Sequence, residues 1–358
     1  MVRTIGTAAY GLRAPIVKQG DDLAKIVVDT VLNSGLEIKD RDVLGITESI
    51  VARNEGNYVT LDEVAGEIKN KLDNPSVILV NCPIYSRNRF AMILKAIARA
   101  AGKVVAINVF ERDYVGNVLR DHPFTGLNYD EYYKSIIEAE GKKCVIVMNG
   151  NLNAMYEYGD YKSIYCGSIH EYDPNYEYKE QSDITLADIC SDDCEYGLYG
   201  SNKSSEELLK LFPSKDNAQR LVENIQTTIE EKTGKKIEVM VYGDGCFKDP
   251  VGGIWEFADP AVSPAYTKGL EGTPNEIKIK NFADEKFKDL HGKELDAAIV
   301  EEIRNKASDL KGNMYAQGTT PRRYTDLLGS LMDLTSGSGD KGTPFVYVQG
   351  YFDNISNE

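Results

Sequence analysis

The sequence predicts an α+β protein that carries a small parallel α/β unit in its first half. Within residues 77–148, apolar runs rich in β-branched residues alternate with stretches of helical periodicity. This alternation is typical of parallel strands joined by crossover helices. Residues 214–349 contain long helices and strands without that regular alternation. The two kinds of organisation together favour the mixed class over a purely α/β fold.

Caps and periodicity predict the individual elements. Apolar residues recur at helical spacing over residues 21–34, and Gly35 is suited to end that helix. Thr60 and Glu63 have capping-box spacing, which predicts a helix from residue 61 toward residue 72. Further helices are predicted over residues 89–101, 130–140, 214–233, 294–308 and 324–334, and strands over residues 43–46, 50–51, 77–80, 104–110, 144–148, 237–242 and 345–349.

Tyrosine is unusually frequent, with 22 Tyr against 10 Phe and one Trp. Seven of these tyrosines lie within residues 156–178, mixed with acidic residues and lysine and without helical periodicity. We interpret this segment as an irregular excursion that packs on another surface. Amphipathic aromatic side chains favour interfaces, so a subunit contact is one candidate for that surface.

Composition and charge restrict the possible function classes. The 358 residues are 42% hydrophobic and 27% charged, with a formal net charge of −15, which is typical of a soluble globular protein. This charge repels phosphate backbones, so general nucleic-acid binding is not expected. No apolar run approaches the roughly 20 residues of a membrane helix, and no apolar signal segment opens the chain. The expected compartment is therefore the cytoplasm.

The cysteines are interpreted as reduced thiols rather than as a disulfide framework. There are six: Cys82, Cys144, Cys166, Cys190, Cys194 and Cys246. Cys166 with His170, and Cys190 with Cys194, stand four residues apart. Because structural zinc sites usually have two residues between paired cysteines, local packing is favoured over a zinc site.

Asp244 is the first candidate metal ligand. It lies between Gly243 and Gly245 at the end of a predicted strand. Hard divalent cations prefer carboxylate oxygens on backbone that can bend closely around them, and glycine allows that bending. An ordinary turn residue explains the same pattern, so both interpretations remain open.

A glycine-rich loop before the last strand is the candidate phosphate site. It consists of Ser336, Gly337, Ser338, Gly339, Asp340, Lys341, Gly342 and Thr343. Its backbone N–H groups and hydroxyls are suited to cradle phosphates, Lys341 adds a cation, and Asp340 could hold magnesium beside them. The loop is not a Walker A motif, and a flexible surface loop remains the alternative. Residues 86–89 (Ser-Arg-Asn-Arg) either meet an anion or are exposed at a helix start.

Several segments resemble the coenzyme F-420-0:L-glutamate ligase (gamma-glutamyl ligase) family. They are residues 14–23 (APIVKQGDDL), 45–56 (GITESIVARNEG), 211–213 (LFP), the strand ending at Asp244, 289–295 (DLHGKEL), the glycine-rich loop and 348–350 (VQG). They cover both ends of the chain in the family's order. The resemblance implies a gamma-glutamyl ligase fold and an intertwined homodimer, with residues 1–75 and 201–358 as its core, an α/β insert at 76–150 and a tyrosine-rich excursion at 151–200.

The implied activity is GTP-dependent amide formation with Mg²⁺ or Mn²⁺. GTP would phosphorylate a carboxylate of coenzyme F-420-0 or a related acid, and the amine of L-glutamate would attack the acyl phosphate. A folate-type acceptor is a variant of this reaction. The alternative is a divergent paralog that binds a nucleotide or an anionic ligand without catalysis.

The resemblance also implies roles for individual residues. Asp244 matches a metal ligand and catalytic residue, Asp340 is the second metal candidate, and Arg53 is a catalytic candidate. The nucleotide contacts would come from Pro15, Ile16, Val17, Ser49, Arg53, Asn202 and all eight residues of the glycine-rich loop. Three family metal positions are changed, to Tyr199, Gly245 and Ser338. Asp192, Asp193 or Asp340 are candidates to replace the lost ligands.

Overall fold

Two five-stranded sheets and one three-stranded sheet organise the chain in a computed structural model. The described residues are 5–85, 88–112, 118–122, 125–167, 177–192, 194, 196–243, 247–248, 255–256, 263–272, 279–305, 323–336 and 342–352. Within these ranges, no helix is long and apolar enough to cross a membrane.

The strands and helices are numbered in chain order. The strands are β1 (Ala8–Leu12), β2 (Val43–Thr47), β3 (Tyr58–Thr60), β4 (Val77–Asn81), β5 (Val104–Val109), β6 (Lys143–Met148), β7 (Lys162–Tyr165), β8 (Ile184–Thr185), β9 (Asn202–Ser205), β10 (Leu208–Lys210), β11 (Glu238–Tyr242), β12 (Phe247–Lys248), β13 (Trp255–Glu256), β14 (Ala265–Tyr266) and β15 (Phe345–Gln349). The helices are α1 (Leu23–Leu32), α2 (Glu48–Glu55), α3 (Leu61–Lys71), α4 (Arg89–Ala100), α5 (Tyr129–Ala139), α6 (Glu177–Glu180), α7 (Lys215–Thr233), α8 (Ile279–Asn281), α9 (Gly292–Arg304) and α10 (Tyr324–Ser336). Short 3₁₀ and π-helical turns lie between them.

The core sheet has the strand order β1-β15-β2-β11-β14. Strands β2 and β11 are parallel, and the other neighbours are antiparallel. Side chains alternate between the two faces, as a strand requires. One face, with Leu44 and Val239, packs against α1 and α7, and the other, with Val43 and Met240, packs against α10. The core sheet is therefore the middle layer of a helix–sheet–helix arrangement.

Gly45 allows α10 to lie close to the core sheet. A Cβ atom added there would overlap the sulfur of Met332 and would lie 3.0 Å from a ring carbon of Tyr242. We expect Gly45→Ala to lower the free energy of unfolding by about 1–3 kcal/mol through overpacking. Urea unfolding of this variant beside Gly66→Ala checks the prediction. Gly66 lies inside α3 with open space around it, so alanine there should stabilise by up to about 1 kcal/mol.

The second five-stranded sheet is wholly parallel, with the order β6-β5-β4-β7-β8. The three strands predicted between residues 77 and 148 are β4, β5 and β6 of this sheet. The two predicted helices are α4 and α5, which connect them. Strands β5 and β6 lie on one side of β4. Strands β7 and β8, which come later in the chain, lie on the other side of β4. This order is the doubly wound arrangement of open α/β sheets.

The structure corrects the predicted secondary structure of two segments. Residues 156–178 were expected to be irregular, yet β7 lies there, pairs with both β4 and β8, and is buried along Ser163, Ile164 and Tyr165. A four-residue strand that is covered on both faces has no polar–apolar alternation to reveal it. Residues 50–51 were expected to be a strand but belong to α2, which ends at Gly56 with φ of 76°.

Candidate functional site

Four strand ends meet at one edge of the core sheet, which we call the strand-end edge. Leu12, the last residue of β1, is opposite Phe345, the first residue of β15. Phe345 is in turn opposite Ile46 of β2. Thr47, at the end of β2, is opposite Tyr242 at the end of β11. Loops that leave this edge are thus brought together although they are far apart in the sequence.

Hydrogen bonds tie the candidate nucleotide segments to the strand-end edge. The Ala14 amide donates to the Gly342 carbonyl at 3.3 Å, and the Thr47 amide donates to the Pro344 carbonyl at 3.0 Å. The Thr343 hydroxyl donates to the Ser336 carbonyl at 3.3 Å. The two flanks of the glycine-rich loop therefore lie together at this edge. Gly337, Ser338, Gly339, Asp340 and Lys341 are outside the described residues.

The first candidate segment lies against α2. The Gly20 amide donates to the Asn54 carbonyl at 3.0 Å, and the Asn54 side chain donates to the carbonyl of Lys18 at 3.1 Å. Pro15 and Ile16 are exposed, whereas Val17 is buried in the apolar core.

Two further candidates, Ser49 and Arg53, are exposed side chains of α2. They stand one helical turn apart, so they share a face of the helix. Helix α2 therefore presents a hydroxyl and a guanidinium beside the strand-end edge.

Asn202 is the first residue of β9 in the three-stranded sheet β3-β10-β9. It is opposite Lys210 in register. The Lys210 ammonium lies 2.8 and 3.1 Å from the two carboxylate oxygens of Glu48, the first residue of α2. Both side chains are buried, at 9% and 3% exposure. Sequence reasoning missed this ion pair, whose signal is Lys210, a charged residue inside the apolar run of residues 208–212.

The expectation that residues 86–89 are exposed at a helix start is wrong for Arg89. Its side chain is buried and donates to the Tyr199 carbonyl at 2.9 Å. This hydrogen bond joins the start of α4 to the turn Gly197–Gly200, which precedes β9 and Asn202. Ser86 and Arg87 are outside the described residues.

Only some of the candidate metal ligands lie among the described residues. Asp244, Gly245, Asp193 and Asp340 lie outside the described residues, and the chain after β11 is described as far as Gly243. Among the residues that are described, no three His, Cys, Asp or Glu side chains are grouped to hold a metal ion. Of the residues of the zinc alternative, Cys166, Cys190 and Cys194 are described, and none of these three forms a disulfide there. His170 is outside the described residues.

Tyr242, the last residue of β11, carries a buried phenol. Burial raises the pKa of its phenol, and the nearby Ser336 side chain opposes part of that rise. The residue therefore stays protonated at neutral pH. Its neighbour Ser336 is the first residue of the glycine-rich loop.

A cavity of about 510 Å³ opens between the end of β1 and α1, and we call it the α1 cavity. It is lined by Gly11, Leu12, Arg13, Pro15, Ile26, Asp29, Thr30, Asn33 and Ser34. Its walls include Pro15, one of the candidate nucleotide residues. The cavity therefore lies beside the β1 end of the strand-end edge.

Glu55, near the end of α2, connects the edge to α7. Its carboxylate accepts a hydrogen bond from the Ser214 amide at 2.8 Å, and burial raises the pKa of this carboxyl above 4.5. Because the native state holds the proton more tightly than the unfolded chain, stability should fall as pH rises through that raised pKa. We expect Glu55→Gln to match the wild type below pH 4.5 and to be more stable than it at pH 7. Urea unfolding across this range measures the difference, and a constant difference would contradict it.

Comparison with known proteins places the chain in a family. A family model described as F420-0:Gamma-glutamyl ligase matches residues 11–350. Coenzyme F420:L-glutamate ligase from Methanothermobacter thermautotrophicus is 36% identical over 61 residues, which are 17% of this chain and 24% of that protein. Uncharacterized protein MJ1361 from Methanocaldococcus jannaschii is 29% identical over 86 residues, 24% of this chain and 26% of that protein. Each alignment spans about a quarter of the relative's length. Because the family model covers nearly the whole sequence, the chain belongs to the F420-0:gamma-glutamyl ligase family.

Proposed function

We propose that the protein joins L-glutamate to a carboxylate of coenzyme F420-0 or of a related acid, with GTP as the phosphoryl donor. The observation that carries this proposal is the strand-end edge. The segments that carry the described candidates Pro15, Ser49 and Thr343 adjoin neighbouring strand ends there, in a chain that belongs to the ligase family. A folate-type acid is a variant acceptor.

The proposed reaction has two steps. An oxygen of the acceptor carboxylate attacks the γ-phosphorus of GTP and releases GDP, which leaves an acyl phosphate. The amine of L-glutamate then attacks the acyl carbon, loses a proton and expels inorganic phosphate. Activation is needed because a carboxylate and an amine do not condense unaided in water.

The chain's residues bind and orient the nucleotide in this scheme. Arg53 on α2 and Lys341 in the glycine-rich loop supply cations for the phosphates, and the loop's backbone amides cradle them. Asp244 and Asp340 are the proposed ligands of Mg²⁺ or Mn²⁺, which would neutralise charge on the transferring phosphoryl group. Asn202, held in register with Lys210, is the proposed contact from the small sheet.

We further propose that the parallel sheet of β4–β8 is an insert in the family's core. The hydrogen bond from Arg89 to Tyr199 connects this unit to the turn before Asn202, so the insert would help to position Asn202. A homodimer in the cytoplasm, without nucleic-acid or membrane partners, completes the proposal.

The test is glutamate incorporation by the full chain. The protein is incubated with GTP, Mg²⁺, coenzyme F420-0 and labelled L-glutamate, and the products are separated by mass. The expected result is an acceptor heavier by one glutamyl residue, formed together with GDP and phosphate and lost when EDTA removes the metal. Failure to bind GTP or GDP in the presence of Mg²⁺ or Mn²⁺ would contradict the proposal.

A second candidate function is a paralog that binds a nucleotide without ligation. It is favoured by Tyr199, whose buried phenol stands where the family resemblance implies a metal-binding carboxylate. GDP binding without incorporation of glutamate into any acid in a panel of carboxylate acceptors would support it.

A further inference from the structure

We propose that two copies of this chain associate through β6, pairing their β6 strands antiparallel about a two-fold axis at Ile146 and so joining their parallel sheets into one continuous sheet. Strand β6 ends one side of the parallel sheet, and no other strand of the described residues pairs with its outer side. This surface belongs to the parallel sheet and not to the strand-end edge, so the inference does not depend on the proposed ligase reaction.

Among the edge strands of the described sheets, β6 is the longest and the least protected. Its six residues, Lys143–Met148, are apolar after the first, contain neither proline nor glycine, and pair with β5 without a register shift. Strands β8, β12, β13 and β14 have two residues each, β3 has three, β9 is polar throughout, and β1 contains Gly11. Proteins usually shorten, charge or bend an exposed edge, because its N–H and C=O groups can pair with another chain. Strand β6 is therefore the edge best suited to receive a partner strand.

The backbone hydrogen bonds of β6 show which of its groups face outward. The Lys143 amide donates to the Lys103 carbonyl at 3.0 Å, and the Asn149 amide donates to the Val109 carbonyl at 2.9 Å. The odd-numbered residues of this segment therefore direct their N–H and C=O groups toward β5. Because these directions alternate along a strand, the even-numbered residues direct theirs outward.

A two-fold axis at Ile146 brings the outward residues of two copies together. Ile146 then lies opposite Ile146 of the second copy, and Cys144 lies opposite Met148. Residues that face each other in this way exchange backbone hydrogen bonds in an antiparallel ladder. The Met148 carbonyl already accepts a hydrogen bond from the Asn151 amide at 2.9 Å. The ladder therefore consists of two bonds between the Ile146 residues and two from the Met148 amides to the Cys144 carbonyls.

Helix α5 gives this surface a self-complementary charge pattern. Its exposed residues Lys134 and Glu138 form an ion pair at 3.8 Å. Burial raises the pKa of the Cys144 thiol, and the charges of Glu138 and Lys134 act on the same group, so this row of α5 lies on the β6 side. Glu140 bonds to Arg99 of α4 on the other side. Antiparallel β6 strands also make the two α5 helices antiparallel, which brings Lys134 of each copy toward Glu138 of the other.

The other face of β6 adds an exposed aromatic side chain. The turn Leu152–Tyr158 packs there, against Val145 and Val147, and leaves the Tyr156 ring 81% exposed. Tyrosine is enriched in protein interfaces. Tyr156 opens the tyrosine-rich segment that was expected to pack on another surface. A second copy at β6 is a candidate for that surface.

The first experiment measures the mass of the full-length protein by sedimentation equilibrium over a range of concentrations. We expect the wild type to contain an even number of chains. Lys134→Glu places like charges at both symmetry-related contacts, so it should weaken the association roughly 10-fold and shift the equilibrium toward half the wild-type assembly. Glu138→Lys should have the same effect. The double variant Lys134→Glu with Glu138→Lys reverses both charges, so it should restore the wild-type affinity.

The second experiment tests the backbone ladder. Ile146→Pro removes the two N–H groups at the centre of the ladder, whereas the bonds to β5 come from the neighbouring residues and remain. The expected product is an assembly of half the wild-type mass. Hydrogen exchange resolved to single residues gives an independent measure without a proline. The amides of Ile146 and Met148 should be protected in the wild type and should exchange faster on dilution of Lys134→Glu.

A matched control separates this surface from a general effect of charge. Lys25→Glu makes the same reversal in an exposed ion pair with Asp29 on α1, and it should leave the assembly unchanged. Thermal unfolding of each variant verifies the fold. A wild type of one chain at micromolar concentration would overturn the inference, as would equal association of the wild type and Lys134→Glu. Glutamate incorporation is measured separately, so failure of the proposed function is distinguishable from failure of this inference.

Discussion

Lys210→Met is expected to lower the free energy of unfolding by about 3–5 kcal/mol, because it leaves the buried Glu48 carboxylate without its ammonium partner. The two groups lie 2.8 Å apart at their closest, and neither side chain is more than 9% exposed. Transfer of a carboxylate out of water is costly unless an opposite charge compensates it. Urea unfolding, with the midpoint and slope measured separately, checks the prediction.

Two further variants test the cause of that loss. Glu48→Leu combined with Lys210→Met replaces the pair by apolar side chains, which should recover most of the stability. Lys203→Met, on the neighbouring strand β9, removes an exposed ion pair with Glu206, and it should cost less than about 1 kcal/mol. An equal loss in Lys203→Met and Lys210→Met would show that burial is not the cause.

The same ion pair bears on the proposed nucleotide site. Glu48 is the first residue of α2 and directly precedes Ser49, so its contact with Lys210 holds the first turn of that helix against β10. Without it, Ser49 and Arg53 would lose their fixed position relative to the strand-end edge. Lys210→Met is therefore also expected to weaken GDP binding.

The elements that the sequence predicted well have local signals. Helix α7 runs from Lys215 to Thr233 and ends at Gly234, as its periodicity and terminal glycine predicted. Helix α3 begins with the predicted capping box between Thr60 and Glu63. Strand β15 has the predicted bounds, Phe345–Gln349. Each of these signals lies within the element itself, so no knowledge of tertiary contacts is needed.

The elements that were missed depend on tertiary packing. Strand β7 is recognised only by its neighbours β4 and β8, because burial on both faces removes alternation from its sequence. Helix α2 has only eight residues, and its adjacent Ile50 and Val51 resemble a short strand when taken alone. In a buried segment this short, the apolar residues fit both the helix period and the strand period.

The candidate site likewise combines features with a local sequence signal and contacts that depend on tertiary packing. Two loops of the strand-end edge could be predicted singly, the glycine-rich loop before β15 and the Gly-Asp-Gly turn after β11, from their glycines and the adjoining strands. The contacts that fix the site could not be predicted. Lys210 and Glu48 are 162 residues apart, and Arg89 and Tyr199 are 110 apart. Pairs at such separations leave no periodic signal in one sequence.

Asp244→Ala is expected to reduce glutamate incorporation by at least about 100-fold, the effect typical of removing one preorganised electrostatic group from a reaction centre. This expectation follows from the position of Asp244 in the chain. It follows β11 by two residues, and the last residue of that strand, Tyr242, is opposite Thr47 at the strand-end edge. A carboxylate that follows this strand end is suited to hold a divalent cation beside the phosphates.

The measurements are incorporation of labelled glutamate and the dependence of GDP affinity on Mg²⁺. Asp244→Ala should abolish the Mg²⁺ dependence as well as the turnover, because both rest on the same ligand. Asp340→Ala should weaken both to a smaller degree, since the glycine-rich loop also offers backbone amides to the phosphates. Asp160→Ala, an exposed residue before β7, removes a carboxylate remote from the edge and should change neither. Full activity and undiminished Mg²⁺ dependence in Asp244→Ala would exclude this residue as the metal ligand.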